Sequence, residues 1–173
     1  MIKNFKGDLL GSKADLMIHQ TNCVGVMGAG IALQIANQFP QVQVEYLKYL
    51  RHCKKNKIDP LGTVQYVPSE IWAVGLVDTM KNETITECRS MQFQYIVNLF
   101  GQRDTGAGLQ TDYEALKRAF NDIKEKAESI NATIALPYKI GCGLGGGDWN
   151  EVYKIINEIF GDSQVDVEIW SLE

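Results

Sequence analysis

The chain has 173 residues, 45% of them hydrophobic and 22% charged, with a net charge of −4 from 17 basic and 21 acidic side chains. That length suits one domain with a substantial core, and that composition excludes a disordered or collagen-like chain. No apolar run approaches the roughly 20 residues of a membrane helix, and the charge balance lacks the basic excess of a protein built to hold nucleic-acid phosphates.

Residues 2–6 predict a short strand. Residues 14–20 form an apolar run that ends in His19 and Gln20, the pattern of a buried strand. From Ala29 to Phe39, apolar side chains at 31, 32, 35, 36 and 39 give a helix face, and Pro40 ends that helix or starts the next, over 42–56. The basic run Arg51 to Lys57 reads as the solvated end of that second helix, the alternative being a nucleic-acid patch. Thr63, Val64, Tyr66 and Val67 predict a strand over 62–67. The stretch 71–93 reads as one or two strands with a polar excursion at 80–90, and 94–100 as a strand. Thr111 and Glu114 form a T-x-x-E capping box at the head of a helix whose apolar stripe runs from Tyr113 to Ile130. Residues 133–138 predict a strand. A last helix follows, with Asp148 at its N-cap and Gly161 at C′. Val165 to Trp170 alternates like an edge strand.

Strands alternating with helices imply an α/β fold with a mixed, mostly parallel central sheet and helices on both faces, as a single domain over 1–173. Such sheets hold ligands beyond the carboxyl ends of their strands. Two glycine-rich loops fall at strand-to-helix junctions there, 20–30 and 141–148. Glycine lets backbone N–H groups approach an anion closely, and such groups at a helix N-terminus bind phosphate without any lysine or arginine. Neither loop carries the Gly-Lys-Ser/Thr ending of a P-loop. Gly141, Gly143 and Gly146 match G-x-G-x-x-G, but the chain lacks a second mononucleotide half after it. Tight turns without a ligand would use the same glycines.

The four cysteines, Cys23, Cys53, Cys88 and Cys142, form no CxxC pair, and His19 and His52 are the two histidines. A multi-histidine metal centre is excluded by count, and neither a metal nor a cofactor is expected. Reduced thiols, and no signal-peptide pattern at the N-terminus, lead to an expected cytoplasmic protein.

Three motifs, in order along nearly the whole chain, resemble the macro domain family. They are Gly7-Asp8-Leu9-Leu10, then His19-Gln20-Thr21-Asn22-Cys23 with Met27-Gly28-Ala29-Gly30-Ile31-Ala32, then Leu136-Pro137-Tyr138-Lys139-Ile140-Gly141-Cys142-Gly143-Leu144 followed by Gly145-Gly146-Gly147-Asp148-Trp149. The variants N-C-x-x-x-M-G-x-G-I-A and I-G-C-G-L resemble the branch holding ADP-ribose 1″-phosphate phosphatases and terminal ADP-ribose glutamate hydrolases. The resemblance implies a three-layer α/β/α fold, with ADP-ribose or an ADP-ribosylated substrate as partner. It implies that Asp8 and Leu9 meet the adenine and Asn22 the distal ribose. It further implies that Met27, Gly28, Ala29, Gly30 and Ile31 wrap the diphosphate with Gly141, Cys142, Gly143, Leu144, Gly145 and Gly146, and that Trp170 stacks on the base. Read without the family, Asp8 also suits a turn or cap, Trp170 an ordinary strand aromatic and His19 a satisfied core histidine.

The glutamate-hydrolase branch places a lysine nucleophile after its central strand and an Asp after G-C-G-L, whereas 101–110 here has no lysine and Gly145 follows Leu144. The phosphatase branch carries a histidine where His19 stands. The expectation is therefore a hydrolase of an ADP-ribose derivative, a phosphatase or a de-ADP-ribosylating enzyme, with His19 and Asp148 as the catalytic pair. The alternative is a non-catalytic ADP-ribose reader. The chain is expected to be a monomer, with no membrane and no direct nucleic-acid contact.

Overall fold

The computed structural model describes residues 1–69, 77–78, 83–84 and 93–172. Six strands form one sheet. They are β1 (Ile2–Lys6), β2 (Leu16–Asn22), β3 (Val64–Pro68), β6 (Tyr95–Gln102), β7 (Ile134–Pro137) and β8 (Val167–Ser171), in the order β1-β8-β7-β2-β6-β3. Every neighbouring pair is parallel except β3 with β6, which is antiparallel. This is the mixed, mostly parallel sheet that the alternating elements require. The reading of 71–93 lies largely outside the described residues. Within it, β4 (Val77–Asp78) and β5 (Glu83–Thr84) are described, as an antiparallel pair.

Two helices cover each face. On one side α1 (Gly30–Gln38) and α2 (Pro40–Asn56) bury Ile35, Val42 and Tyr46 against Met17, Ile96 and Phe100. On the other, α3 (Tyr113–Ile130) and α4 (Trp149–Phe160) bury Leu116, Phe120, Ile156 and Phe160 against Leu16, Ile18, Val97 and Leu99. β2 thus feeds both cores by alternation, Leu16 and Ile18 to one side and Met17 to the other. At about 25 cal/mol per Å² of apolar area, each fully buried Phe or Leu contributes roughly 2–3 kcal/mol. Pro40 stands in the first turn of α2, where a missing N–H costs no helical bond. The basic run closes that helix as expected, with Lys54 and Lys55 in its last turn and Lys57 left-handed at its end. Among the described residues, no helix is long and apolar enough to cross a membrane.

Three local expectations need correction. The N-cap of α3 is Asp112, whose carboxylate accepts from the Ala115 N–H at 2.8 Å. Thr111 is occupied elsewhere, as described below. Gly161 ends α4 in a right-handed conformation (φ −56°) rather than the left-handed C′ state. β8 is an interior strand, flanked by β1 and β7. Its alternation comes from Glu168, which finds partners on its own face, the Ser12 hydroxyl (2.6 Å) and the Trp170 indole N–H (2.8 Å), without any need for an open edge.

Candidate functional site

A cleft of about 680 Å³ opens at the carboxyl ends of β2, β6 and β7, in the range that holds nucleotide-sized ligands. Both glycine loops border it. From loop one, Asn22, Gly28, Ala29, Gly30 and Ile31 line the wall; from loop two, Gly141, Gly143, Leu144 and Gly145.

Loop one is organised by Asn22. Its Oδ1 accepts from the N–H groups of Val24 (3.1 Å) and Val26 (3.2 Å), and its Nδ2 donates to the Val26 carbonyl (2.7 Å). The buried Tyr46 hydroxyl of α2 lies 2.7 Å from both the Asn22 carbonyl and Oδ1, and accepts from the Gly25 N–H. Burial, chiefly, pushes that phenol well above its ordinary range, so it stays a neutral donor. The loop then delivers the start of α1 to the cleft. Its N-cap residue, Ala29, has no side chain to accept from the first turn, and that turn holds no acidic residue. Among the described residues, the N–H groups from Gly28 to Ala32 donate no hydrogen bond. These are the orphan donors of a helix start, together with its positive dipole end, turned towards a concave space.

Loop two is held from below. The Gln20 side-chain amide nitrogen, Nε2, donates to Gln102 Oε1 and to Thr111 Oγ1, both at 2.9 Å. Thr111 Oγ1 donates in turn to the Gly141 carbonyl (2.7 Å). The Gly145 carbonyl accepts from the N–H groups of Gln110 (2.8 Å) and Thr111 (2.9 Å). These ties hold Gly145 so close that a Cβ there would lie 2.5 Å from the Gly141 carbonyl oxygen and 2.6 Å from Thr111 Oγ1, so no larger residue fits. The N–H groups of Gly143, Leu144 and Gly145 donate no hydrogen bond among the described residues.

The remaining expected residues fall outside the wall. Met27 is buried beneath loop one, Cys142 packs half-buried against the α3–α4 core, and the Gly146 N–H is taken by the Gly143 carbonyl. Asp8, Leu9 and Trp170 gather at the carboxyl ends of β1 and β8. Asp8 caps the short helical turn Leu9–Gly11, and Leu9 is buried. Trp170 stacks on Phe5 with centroids 5.0 Å apart, and its neighbour across the sheet, Pro137, lines the cleft. Asp148 accepts from the Asn150 N–H at 2.8 Å as the N-cap of α4.

His19 is not brought to the cleft or to Asp148. β2 continues to Asn22, so His19 lies three residues inside the strand, fully buried on the α1–α2 side. Its Nε2 lies 2.6 Å from Asn98 Oδ1 of β6. Asn98 Nδ2 donates to Gln65 Oε1 (2.9 Å), and Gln65 Nε2 to the Glu45 carbonyl (2.9 Å). This chain assigns the proton to Nε2, leaving Nδ1 buried without a partner. Burial lowers the imidazole pKa to about 4, against a partial opposing effect of the Asn98 hydrogen bond. The imidazole is therefore neutral and enclosed between β2 and the α1–α2 layer. The thiols are equally quiet: burial raises Cys23 to about 11 and pushes Cys142 up. Among the described residues no cluster could hold a metal ion.

Sequence reasoning missed Gln20, Thr111 and the wall contributed by Gln102, Thr105 and Gly106. A polar Gln20 inside an apolar strand was the available signal for the first.

A mixed, mostly parallel α/β sheet with two N–H-lined loops over a mostly uncharged cleft has the architecture of an anion-binding, nucleotide-type site. The macro domain family model matches residues 18–156, and the chain belongs to that family. It is 42% identical over 172 residues to an ADP-ribose 1″-phosphate phosphatase of Scheffersomyces stipitis, covering 91% of this chain and 94% of that protein. It is 28% identical over 161 residues to a DNA ADP-ribosyl glycohydrolase of Mycobacterium tuberculosis, covering 92% of this chain but 39% of that protein, so the chain spans about two fifths of the length of that relative. The macrodomain of Mycobacterium tuberculosis DarG has the same fold, with a TM-score of 0.74 at 24% identity over 98% of this chain and 97% of that one.

Proposed function

We propose that this chain binds ADP-ribose in the cleft and hydrolyses an ADP-ribose derivative, the 1″-phosphate monoester first. The observation that carries the binding is the pair of unsatisfied N–H sets, Gly28 to Ala32 and Gly143 to Gly145, on loops that both line one cleft. Together they provide donors for a diphosphate without a carboxylate on the wall to repel it. Asn22 would meet the distal ribose with the remaining hydrogen of its Nδ2. Asp8, Leu9 and Trp170 would serve the base end, beside Pro137. The phosphatase reading draws support from the relative that shares 42% identity over nearly its full length. The three described cysteines are free thiols, in keeping with a cytoplasmic site of action.

A second reading, binding without turnover, is favoured by one observation. The expected acid–base pair is absent from the wall, with His19 enclosed behind β2 and Asp148 engaged as a helix cap. Calorimetric titration with ADP-ribose, with AMP and NAD as controls, tests the binding. Selective heat for ADP-ribose supports it, and no heat from folded protein refutes it. Phosphate release from ADP-ribose 1″-phosphate then separates the two readings, since a reader binds without releasing phosphate.

A further inference from the structure

The cleft wall carries one formally charged side chain. Among the described lining residues only Tyr138 and Lys139 are titratable, and Lys139 is the cation. Its backbone is unusual as well. Among the described residues, three that are not glycine have left-handed backbones, Lys57 (φ 56°), Asn131 (φ 52°) and Lys139 (φ 59°). The first two end α2 and α3, where that conformation is the ordinary stop. Lys139 ends no helix. It sits in the turn between β7 and loop two, where the Ile140 N–H donates to the Pro137 carbonyl (3.1 Å) and the Cys142 N–H to the Lys139 carbonyl (2.9 Å). A left-handed backbone costs an L-residue roughly 1–2 kcal/mol that glycine avoids. Loop two uses glycine two residues later, at Gly141, for its own left-handed turn. A strained residue of this kind beside a ligand cleft points to a task for its side chain.

The side chain is held where that task can be done. Lys139 Nζ lies 5.3 Å from the centroid of the Tyr138 ring, within cation–π range. Tyr138 is itself braced edge-on by Trp149 at the head of α4, with centroids 4.9 Å apart. The ammonium is therefore parked on a supported aromatic face in the turn that leads into loop two, with no salt-bridge partner among the described residues.

We propose that Lys139 is a specificity-determining residue whose ammonium takes a phosphate oxygen of the ligand along loop two, so that the cleft ranks ligands by phosphate charge. This rests on the ADP-ribose reading. The phosphate belongs either to the diphosphate bridge or to a terminal monoester, and the test distinguishes them.

The wild type, Lys139→Gly and Lys139→Arg are titrated with ADP-ribose and with ADP-ribose 1″-phosphate at low and high salt, and their thermal midpoints are measured. Lys139→Gly is expected to bind about tenfold more weakly at low salt, in line with the loss of one charge-assisted contact, and to lose part of the salt dependence. Its thermal midpoint is expected to stay level or rise, because glycine relieves the left-handed turn, an outcome that a merely structural lysine would not produce. Lys139→Arg keeps most of the affinity. An equal loss for both ligands assigns the contact to the diphosphate, and a loss confined to the monoester assigns it to the terminal phosphate. Unchanged affinity and salt dependence for both ligands overturns the proposal while leaving the ADP-ribose reading intact. A folded wild type that binds neither ligand overturns that reading itself.

Discussion

The two glycine loops reach the same end, free N–H groups over a cleft, by opposite constructions. Loop one is held chiefly by a buried phenol, with the Cys23 N–H donating to the Arg103 carbonyl at its start. Tyr46 holds Asn22, Asn22 shapes the turn through Val26, and the donors belong to a helix start left without a cap. Loop two is tied through its carbonyls, with Gly141 and Gly145 bonded to Thr111 and its neighbour Gln110, and Thr111 to Gln20. One strand supplies both anchors. Strict alternation would turn Gln20 and Asn22 to the same face. At the end of the strand the register shifts, with Gly101 the extra residue on β6, and there Gln20 bonds Thr111 ahead of α3 while Asn22 bonds Tyr46 of α2. The carboxyl end of β2 thus secures loops that belong to different helical layers.

The contrast can be broken most sharply at loop two. Gly145→Ala places a methyl against the Gly141 carbonyl and Thr111, and the loop can admit it only by releasing those ties. The expected result is a loss of about 3 kcal/mol in urea unfolding together with at least about thirtyfold weaker ADP-ribose binding, on the scale of two lost hydrogen bonds. Tyr46→Phe attacks the other construction. It strands the Gly25 N–H and removes the hydroxyl from Asn22, for about 2 kcal/mol of stability. Because the α1 donors do not depend on that hydroxyl directly, titration should show a smaller affinity loss than for Gly145→Ala. An equal or larger loss would mean that the two loops are not independent.

The smallest effect concerns His19, which shares the α1–α2 layer with the Tyr46 anchor. In the unfolded chain the imidazole gains a proton as pH falls below about 6.5. In the folded protein it stays neutral until about 4. Its contribution is therefore present above 6.5 and is lost as pH falls across that window, by about 1 kcal/mol between pH 7 and pH 5.5. In His19→Gln the difference in unfolding free energy between those two pH values should shrink by that amount. An unchanged pH dependence would show that the histidine is already solvated and protonatable.

The sheet, the four long helices and both loops were legible because their signals are local: apolar periods, strand-to-helix junctions and clustered glycines. His19 was read at a strand end because the apolar run stops at Ile18, while the strand runs on through Thr21 and Asn22, whose polar groups are paired in the ladder and the turn. The capping box failed for a related reason. Thr111 has the chemistry of a cap, but its hydroxyl has a stronger claim from the Gly141 carbonyl, 30 residues away, and Asp112 serves instead. Lys139 could not be singled out because one lysine among loop residues carries no period, and its left-handed backbone is a property of the fold. The edge reading of β8 erred since alternation reports two unlike faces and says nothing about lateral neighbours.

That interior placement of β8 bears on how the molecule is made. Among the described residues, β1 pairs with β8 and with no other strand. During synthesis β1 therefore emerges well before its described ladder partner, residues 167–171. β2, β6 and β7 can pair with one another in the meantime, so the ligand-facing part of the sheet is free to assemble before the β1 flank closes over it.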